Sequence, residues 1–149
     1  MPFSRITPVE RASKSGATII KDDFAFRQLG ATLENIDIGS AIVRLIIKQC
    51  HTNCHGFCHG GVIFTLADAT FGFACNSYNL KAVGQNCTIT YISPVREKDI
   101  LISNAKEIKK FGRSGIYDVT IKNQNEDLVA IFRGHSRQVG DRLFEEQTK

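Results

Sequence analysis

One segment, residues 60–79, constrains the fold of this chain more than any other. When the segment is wound into a helix, its apolar residues leave no continuous polar stripe, and a helix that is apolar on nearly all sides is a buried one. Gly60 and Gly61 open the segment, and Asn79 lies at its end. The sequence therefore predicts one long helix that is enclosed by the rest of the protein.

Strand-like runs flank this helix, one before it and four after it. They cover residues 41–48, 87–92, 100–108, 116–123 and 128–137. Short connections between successive runs favour antiparallel pairing. A shorter helix is expected at residues 22–29, with acidic residues in its first turn and Gly30 as its stop. These patterns predict an α+β fold with an antiparallel sheet of about five strands and a single buried helix.

The length of 149 residues fits one domain. We expect an N-terminal arm at residues 1–21, the folded domain at 22–140 and a C-terminal tail at 141–149. The chain shows no secretion signal and no apolar stretch of the roughly 20 residues that span a bilayer, so a cytoplasmic protein is expected. The net charge of +4 suits a polyanionic small ligand, nucleic acid or no charged partner. No nucleic-acid or membrane partner is predicted.

Asp68 is the one formally charged side chain within residues 49–80, and it lies in the middle of the predicted buried helix. A carboxylate removed from water is costly unless it is paired or hydrogen-bonded. One interpretation is structural: the carboxylate bonds to a hydroxyl such as that of Thr65, Thr88 or Thr90. The other is functional: Asp68 is a general base or nucleophile beside a cleft, with its pKa raised by desolvation.

The glycine pair at the helix start is a second candidate feature. Glycines let a ligand approach the first free N–H groups, which stabilise negative charge together with the helix dipole; close packing alone is the other interpretation. Gly60 and Asp68 are eight residues apart, or ~12 Å along a helix that rises ~1.5 Å per residue. One small reacting group cannot touch both within a single chain. If both act on one carbonyl, they belong to two subunits with antiparallel helices, so the catalytic interpretation predicts a dimer.

A spaced pattern links these features. Asn53 is followed by His59-Gly60-Gly61 and then by Asp68, eight residues after the first glycine. This pattern resembles the signature of the hotdog-fold acyl-CoA thioesterase superfamily, and within it the branch named for phenylacetic acid degradation. The resemblance extends, in the order of elements, over roughly residues 24–140.

The resemblance implies a hotdog fold, in which an antiparallel sheet wraps around a long central helix, and a homodimer that assembles further into a homotetramer. It also implies hydrolysis of an acyl-CoA, with an aryl-acyl group such as phenylacetyl or hydroxyphenylacetyl, and no cofactor. In that scheme the Gly60 amide polarises the acyl carbonyl across the dimer interface, and Asp68 of the facing subunit activates water or attacks directly. Asn53 would place the water or the carboxylate, and His59 would orient the Gly60 turn.

Four further residues are expected to contact the substrate. Gly61 and His55 flank the helix start, while Arg133 and Gly134 lie near the end of the last strand, where Arg133 is a candidate for the phosphates of coenzyme A. Some relatives place a catalytic Ser or Thr just before the strand that follows the helix. Here residues 84–86 carry no hydroxyl, so no hydroxyl role is transferred.

Three Cys-His pairs precede the helix: Cys50-His51, Cys54-His55 and Cys58-His59. Their density suits zinc, but their spacing and the lack of a second pair downstream are untypical of structural zinc, and no metal site is predicted. The five cysteines are expected to be thiols. The alternatives to a thioesterase are a non-catalytic acyl-CoA-binding protein, a dehydratase of the same fold and a Cys/His metal-binding module.

Overall fold

The computed structural model describes residues 5–146 and contains three α-helices, one 3-10 turn and six β-strands in that part of the chain. The helices are α1 (Pro8–Asp22), α2 (Phe24–Leu29) and α3 (Gly60–Asn76). The strands are β1 (Thr32–Asp37), β2 (Ser40–Ile46), β3 (Ala82–Tyr91), β4 (Ile100–Phe111), β5 (Ser114–Lys122) and β6 (Leu128–Gln138). None of the described helices is both long and apolar enough to cross a membrane.

The six strands form one antiparallel sheet in the order β1-β2-β4-β5-β6-β3. Side chains alternate between the two faces of a strand, and the alternating buried positions of β2, β4, β5 and β6 lie on the face that contacts α3. The order leaves β1 and β3 at the two edges of the sheet. Because β3 follows α3 in the chain but pairs with β6, the strand after the central helix ends up at an edge.

The core is centred on the side of α3 that faces the sheet. The Phe71 ring packs against Tyr117 of β5 and Phe132 of β6, with ring centroids 5.5 and 5.9 Å apart. Leu66 and Ala74 of the helix are fully buried beside it. Since burial of such side chains is the main favourable contribution to folding, this contact fixes where α3 lies on the sheet.

One strip of α3 lacks cover in the single chain. Gly61, Thr65 and Asp68 are exposed, and their spacing of four and three residues places them on one helical face. The expectation that Asp68 lies in a helix enclosed on all sides was wrong for the single chain. The sheet curves around one side of the helix only, and these three positions lie on the other.

The expected antiparallel sheet around a central helix is confirmed, with six strands where about five were predicted. The strand that the sequence analysis missed is β1, and only Ile36 of its residues is buried. An edge strand that buries one side chain carries almost no apolar alternation, so its local pattern is not that of a half-buried strand. The short helix ending at Gly30 is also confirmed, and Gly30 adopts a left-handed C-cap with a φ of 81°.

Most of the predicted N-terminal arm, residues 1–21, is helical, since α1 covers Pro8–Asp22. Thr7 and Glu10 cap this helix reciprocally, since each side chain accepts a hydrogen bond from the backbone N–H of the other residue. The buried face of α1 consists of the small residues Ala12, Ser15 and Gly16. Small residues give a weak apolar signal in sequence, although they let the helix approach β1 closely. Residues 1–4 of the predicted arm lie outside the described residues.

The first part of the predicted tail packs onto the domain through Asn79. Its Oδ1 accepts from the Leu143 and Phe144 N–H groups (2.9 and 3.0 Å), and its Nδ2 donates to the Phe144 carbonyl and to Glu146 Oε1 (both 2.9 Å). Asn79 is 1% exposed and has a φ of 61°, a left-handed conformation that Asn tolerates well. Residues 147–149 lie outside the described residues, and the predicted domain boundaries stay predictions.

Asn79→Ala should lower the free energy of unfolding by about 2–4 kcal/mol, because it removes four hydrogen bonds from a buried position. Urea denaturation of both proteins measures the difference. Asn125→Ala is the matched control: Asn125 is exposed and its recorded bond is made by the backbone N–H, so a change within about 0.5 kcal/mol is expected. Equal stability of the two variants would contradict the role given to Asn79.

Candidate active site

His59 organises the N-terminus of α3 as its N-cap. The first turn of a helix leaves four N–H groups without an intrahelical acceptor. Here the His59 N–H donates to the His51 carbonyl (2.8 Å), the Gly61 N–H to His59 Nδ1 (2.9 Å) and the Val62 N–H to the His59 carbonyl (2.9 Å). Within residues 5–146 the fourth of these groups, the Gly60 N–H, has no acceptor. It is therefore the donor that the helix start offers to a ligand.

Tyr91, at the end of β3, holds the other side of the same residue. Its hydroxyl donates to the Gly60 carbonyl (2.8 Å). A Cβ on Gly60 would lie 3.2 Å from both Cζ and Oη of Tyr91, which is closer than ordinary van der Waals contact. The residue at position 60 must therefore be glycine if the Tyr91 ring is to stay where it is.

Asn53 shapes the loop that leads to the helix. Its Oδ1 accepts hydrogen bonds from the His55 and Phe57 N–H groups (3.0 and 3.1 Å), and its backbone N–H donates to the Phe57 carbonyl (2.7 Å). This arrangement is an Asx-type turn, in which a side-chain oxygen satisfies backbone donors of the loop. The Asn53 Nδ2 group makes no bond within the described part of the chain.

Asp68 is held by a thiol rather than by a hydroxyl. The Cys87 Sγ atom of β3 donates to Asp68 Oδ1 at 3.9 Å. The predicted threonine partners are not involved: Thr65 donates to the Gly61 carbonyl (2.9 Å), and the two threonines of β3 make no bond to Asp68 in the described structure. The structural interpretation of Asp68 thus named the wrong partner, because the sequence does not show which β3 side chains face the helix.

The surroundings of the Asp68 carboxyl raise its pKa. Although the side chain keeps accessible surface in the single chain, the atoms packed around the carboxyl remove part of its hydration and raise its pKa above the ordinary value. Asp23 raises the pKa slightly further by charge repulsion, and the Cys87 hydrogen bond opposes both effects. A carboxylate with a raised pKa is a better proton acceptor than an ordinary surface aspartate.

An apolar cavity of about 280 Å³ adjoins the Gly60 amide. Gly60 and Ile63 of α3, Phe57 and Cys58 of the preceding loop, and residues 91–95 line it. None of these described lining residues carries a formal charge at neutral pH, since burial raises the pKa of the Cys58 thiol to about 11. The cavity therefore suits an uncharged, largely apolar group whose polar end reaches the free N–H.

The structure does not bring Gly60 and Asp68 together within one chain. Both lie on the same continuous helix α3, eight residues or ~12 Å apart along its axis. The free amide and the apolar cavity are at the N-terminal end, while the carboxylate is midway along the uncovered strip. The amide and the carboxylate are therefore too far apart to contact one small group within a single chain.

The predicted substrate-contact residues lie in different environments. Gly61 and His55 are exposed near the helix start. Arg133 is on the face of the sheet opposite α3, where it forms a bidentate ion pair with Asp118 (2.6 and 2.8 Å). Gly134 is buried, and a Cβ there would lie 2.9 Å from the Phe71 ring, so its observed role is close packing.

The Cys-His run does not converge on one point. His51 is buried, where Nδ1 accepts from the Lys48 N–H (3.0 Å) and Nε2 pairs with the Leu29 carbonyl (3.0 Å). Cys50 and Cys54 are exposed, whereas Cys58 is buried. Among residues 5–146, no group of three or more His, Cys, Asp or Glu side chains is placed to hold a metal ion.

Tyr91 and Cys87 are the site residues that the sequence analysis missed. Both belong to the predicted strand at residues 87–92, and both occupy alternate positions that face the helix. The alternation of side chains along a strand can be read from sequence. It identifies residues that face α3 only if β3 is already known to lie beside that helix. That placement depends on the pairing of β3 with β6, which is a long-range feature and leaves no local pattern.

Known proteins are similar to this chain in sequence and in fold. A sequence profile described as the thioesterase superfamily matches residues 55–130. The acyl-coenzyme A thioesterase PaaI of Escherichia coli is 35% identical over 130 residues, which cover 87% of this chain and 93% of that protein. The structure of the E. coli PaaI protein from the phenylacetic acid degradation operon matches with a TM-score of 0.89 and 34% identity, covering 91% of this chain and 99% of that one.

A third relative was solved with a ligand. It is a Streptococcus mutans protein bound to acetyl CoA, which matches with a TM-score of 0.73 and 28% identity and covers 75% of this chain and 90% of its own. The similarity to these structures confirms the hotdog fold that the sequence predicts.

His59→Ala should lower the free energy of unfolding by about 1 kcal/mol, because it removes the side-chain acceptor of the Gly61 N–H. His59→Asn supplies another N-cap acceptor and should recover most of that loss. Thermal and urea denaturation of both variants and the wild type measure this difference. The N-cap role would be contradicted by an Asn variant as unstable as the Ala variant.

Proposed function

This chain belongs to the thioesterase superfamily and is an acyl-CoA thioesterase of the PaaI type, and we propose that it hydrolyses aryl-acyl-CoA thioesters at composite sites built from two subunits. The observation that carries this proposal is the separation of two complementary half-sites on α3. One half-site is a free helix N-terminal amide beside an apolar cavity, and the other is the Asp68 carboxylate on an uncovered helical face.

The Gly60 N–H is the proposed donor to the thioester carbonyl oxygen. It is the one amide of the first turn left free in the described chain, and the positive end of the helix dipole lies at the same point. As the carbonyl carbon becomes tetrahedral, negative charge develops on its oxygen, and a fixed N–H donor stabilises that charge. Tyr91 and His59 act indirectly, by fixing the carbonyl of Gly60 and the amide of Gly61 on either side.

Asp68 is the proposed proton acceptor or nucleophile. Acting as a base, its carboxylate takes a proton from a water molecule, whose oxygen then bonds to the carbonyl carbon. The carbon–sulfur bond breaks, and coenzyme A leaves as a thiolate that takes up a proton. Acting as a nucleophile, the carboxylate itself bonds to the carbonyl carbon, and the carbon–sulfur bond breaks to release the coenzyme A thiolate. Water then hydrolyses the resulting mixed anhydride, which frees the acid and regenerates Asp68. Both roles need the ionised carboxylate.

A second copy of this chain is the proposed source of the missing half-site. The strand β3 is an edge of the sheet, and an edge strand offers unpaired N–H and carbonyl groups to another chain. Two of its larger apolar side chains are also exposed in the single chain, with Val83 50% and Tyr91 48% exposed. Antiparallel pairing of two β3 strands would satisfy the unpaired backbone groups and continue the sheet.

Such pairing also orients the helices correctly. A two-fold axis perpendicular to the extended sheet makes the two α3 helices antiparallel, and each partner uses the same surface. The uncovered strip of Gly61, Thr65 and Asp68 then faces the equivalent strip of the partner. In this arrangement the carboxylate of one subunit meets the helix start of the other. Further assembly into a tetramer stays a prediction, as does a cytoplasmic location.

The size and lining of the cavity support an aryl substrate. A dry cavity of roughly 150 Å³ with apolar walls is large enough to hold benzene, and the cavity beside Gly60 measures about 280 Å³. Phe57 and Tyr91 provide aromatic walls, which favour contact with another ring. A phenylacetyl or hydroxyphenylacetyl group would fill the cavity and present its carbonyl to the Gly60 N–H.

The remaining predicted contacts take supporting roles in this proposal. Asn53 keeps the loop at the cavity in shape and offers its Nδ2 group to the attacking water or to the partner's Asp68. His55 and Gly61 contact the pantetheine side. Arg133 stays a proposed phosphate contact, which requires that it leave or share its ion pair with Asp118.

Asp68→Asn should lower kcat/KM for phenylacetyl-CoA by about 100- to 10,000-fold, because the amide cannot accept the proton or attack the carbonyl. Release of the coenzyme A thiol measures the rate, with straight-chain acyl-CoAs tested in parallel. Glu97→Gln neutralises an exposed carboxylate outside the site and should leave the rate unchanged. Full activity of Asp68→Asn would sink the proposed mechanism, and silence of the wild type on every thioester would sink the proposed function.

Mixing two inactive variants should restore activity if each site combines two subunits. In a hybrid dimer of Asp68→Asn with Gly60→Pro, which removes the donor N–H at the first helical position, one site receives the intact glycine of the first chain and the intact aspartate of the second. After full subunit exchange at equal concentrations, roughly a quarter of the wild-type sites are regenerated. Native mass spectrometry verifies the exchange, and thiol release gives the rate. Hybrids that form but stay inactive would show that the site is not composite.

A further inference from the structure

We propose that Cys87 is a positioning residue for Asp68: its thiol donates to Oδ1 and holds the carboxylate in the orientation from which it reaches the partner's half-site. This inference rests on the proposed function. It gives a role to Cys87, which neither the sequence pattern nor the similarity to known proteins does.

The contact depends on a β-bulge in β3. Gly84 pairs with Ser136, and Asn86 pairs with His135. Between these two pairs β3 advances by two residues and β6 by only one, so Gln85 is an extra residue in β3. In a regular strand, positions 84 and 87 are on opposite faces, since they are three residues apart. The extra residue brings both to the same face, and bulges commonly re-aim side chains in this way beside functional sites.

Gly84 provides the space in which the thiol and the carboxylate meet. A Cβ at Gly84 would lie 3.3 Å from Cys87 Sγ and 3.7 Å from Asp68 Oδ1. The same Cβ would lie 3.2 Å from the Phe71 ring. The Gly84 backbone therefore packs against three groups at once: the Phe71 ring, the Cys87 thiol and the Asp68 carboxylate.

Cys87 is the one hydrogen-bond partner of the Asp68 carboxyl within residues 5–146. Burial and the nearby carboxylate raise the pKa of the Cys87 thiol to about 11, so at neutral pH it keeps its proton and is a donor. A thiol in this state is a poor nucleophile. Its effect is therefore on the orientation and charge of Asp68, and no acyl transfer to sulfur is involved.

The other ionisable groups around Asp68 act in the opposite direction or are neutral. Asp23, the N-cap of α2, repels the carboxylate and raises its pKa. Cys75, on the same helix, has a pKa raised to about 12 and is uncharged at neutral pH. Among the described residues, Cys87 is thus the neighbour that favours the ionised form of Asp68.

The test is a pH profile of kcat/KM for Cys87→Ala, Cys87→Ser and the control Cys50→Ala. Loss of the donor should raise the pKa of Asp68, so the acid limb of the Cys87→Ala profile should move to higher pH and kcat should fall about 5- to 10-fold. The Ser hydroxyl of Cys87→Ser is also a donor and should restore both the position of the acid limb and the value of kcat. Cys50 is exposed, and its loss should change neither. An Ala variant with an unmoved acid limb, or a Ser variant as defective as Ala, would overturn the inference.

A second measurement does not depend on turnover. The interaction between two ionisable groups is reciprocal. The Cys87 thiol lowers the pKa of Asp68, so the ionised Asp68 raises the pKa of Cys87 and reduces its thiolate fraction. Alkylation of Cys87 by iodoacetamide, followed by peptide mass spectrometry, should be several-fold faster in Asp68→Asn than in the wild type at pH 8. Cys54 serves as the internal reference. Equal alkylation rates would overturn the coupling even if the wild type hydrolysed no acyl-CoA tested.

The two proposals can fail separately. If Asp68→Asn is fully active, the catalytic role of Asp68 is wrong and Cys87 has nothing to position. If Asp68→Asn is inactive but Cys87→Ala keeps the wild-type rate and acid limb, the proposed function stands and only the role of Cys87 is wrong.

Discussion

The packing of one side of α3 against the sheet fixes the position of the residues that form the candidate active site. Phe71 locks the helix between β5 and β6, and Gly134 permits that approach because it has no side chain beneath the ring. Once the helix is fixed in this position, its opposite side stays uncovered in the single chain. Asp68 and the Gly60 amide lie along that side or at its end, so the same contact that builds the core also presents the chemical groups.

The geometry of a helix explains why the proposed active site combines groups from two subunits. An N-terminal amide and a carboxylate eight residues later are fixed ~12 Å apart along the axis, and no local adjustment of a helix shortens that distance. Antiparallel juxtaposition of two copies removes the problem, because each amide then meets the other carboxylate. The edge strand β3 lies beside both groups: the Tyr91 hydroxyl donates to the Gly60 carbonyl, the Cys87 thiol donates to Asp68, and the strand's free edge is the proposed contact with the partner.

The sequence was informative where a residue's role follows from its neighbours in the chain. The apolar helix, its glycine start and the isolated Asp68 are local patterns, and all three were readable. The helix α1 was also detectable in principle from Thr7 and Glu10, but its small buried residues masked the apolar face. Cys87 could not be found this way, because its contact needs both the pairing of β3 with β6 and an extra residue in that pairing. The uncovered strip on α3 could not be predicted from the sequence either, because it depends on how far the sheet extends around the helix.

The most direct measurement of the central claim is a crystal structure of the oligomer with a non-hydrolysable phenylacetyl-CoA analogue, in which a methylene group replaces the thioester sulfur. We expect the ketone oxygen to accept a hydrogen bond of about 3 Å from the Gly60 N–H of one subunit. We also expect Asp68 of the partner subunit to face the carbonyl carbon and the phenyl ring to fill the cavity beside Phe57. A ketone bound away from the Gly60 N–H, or one with no Asp68 carboxylate from a second subunit beside it, would contradict the composite site.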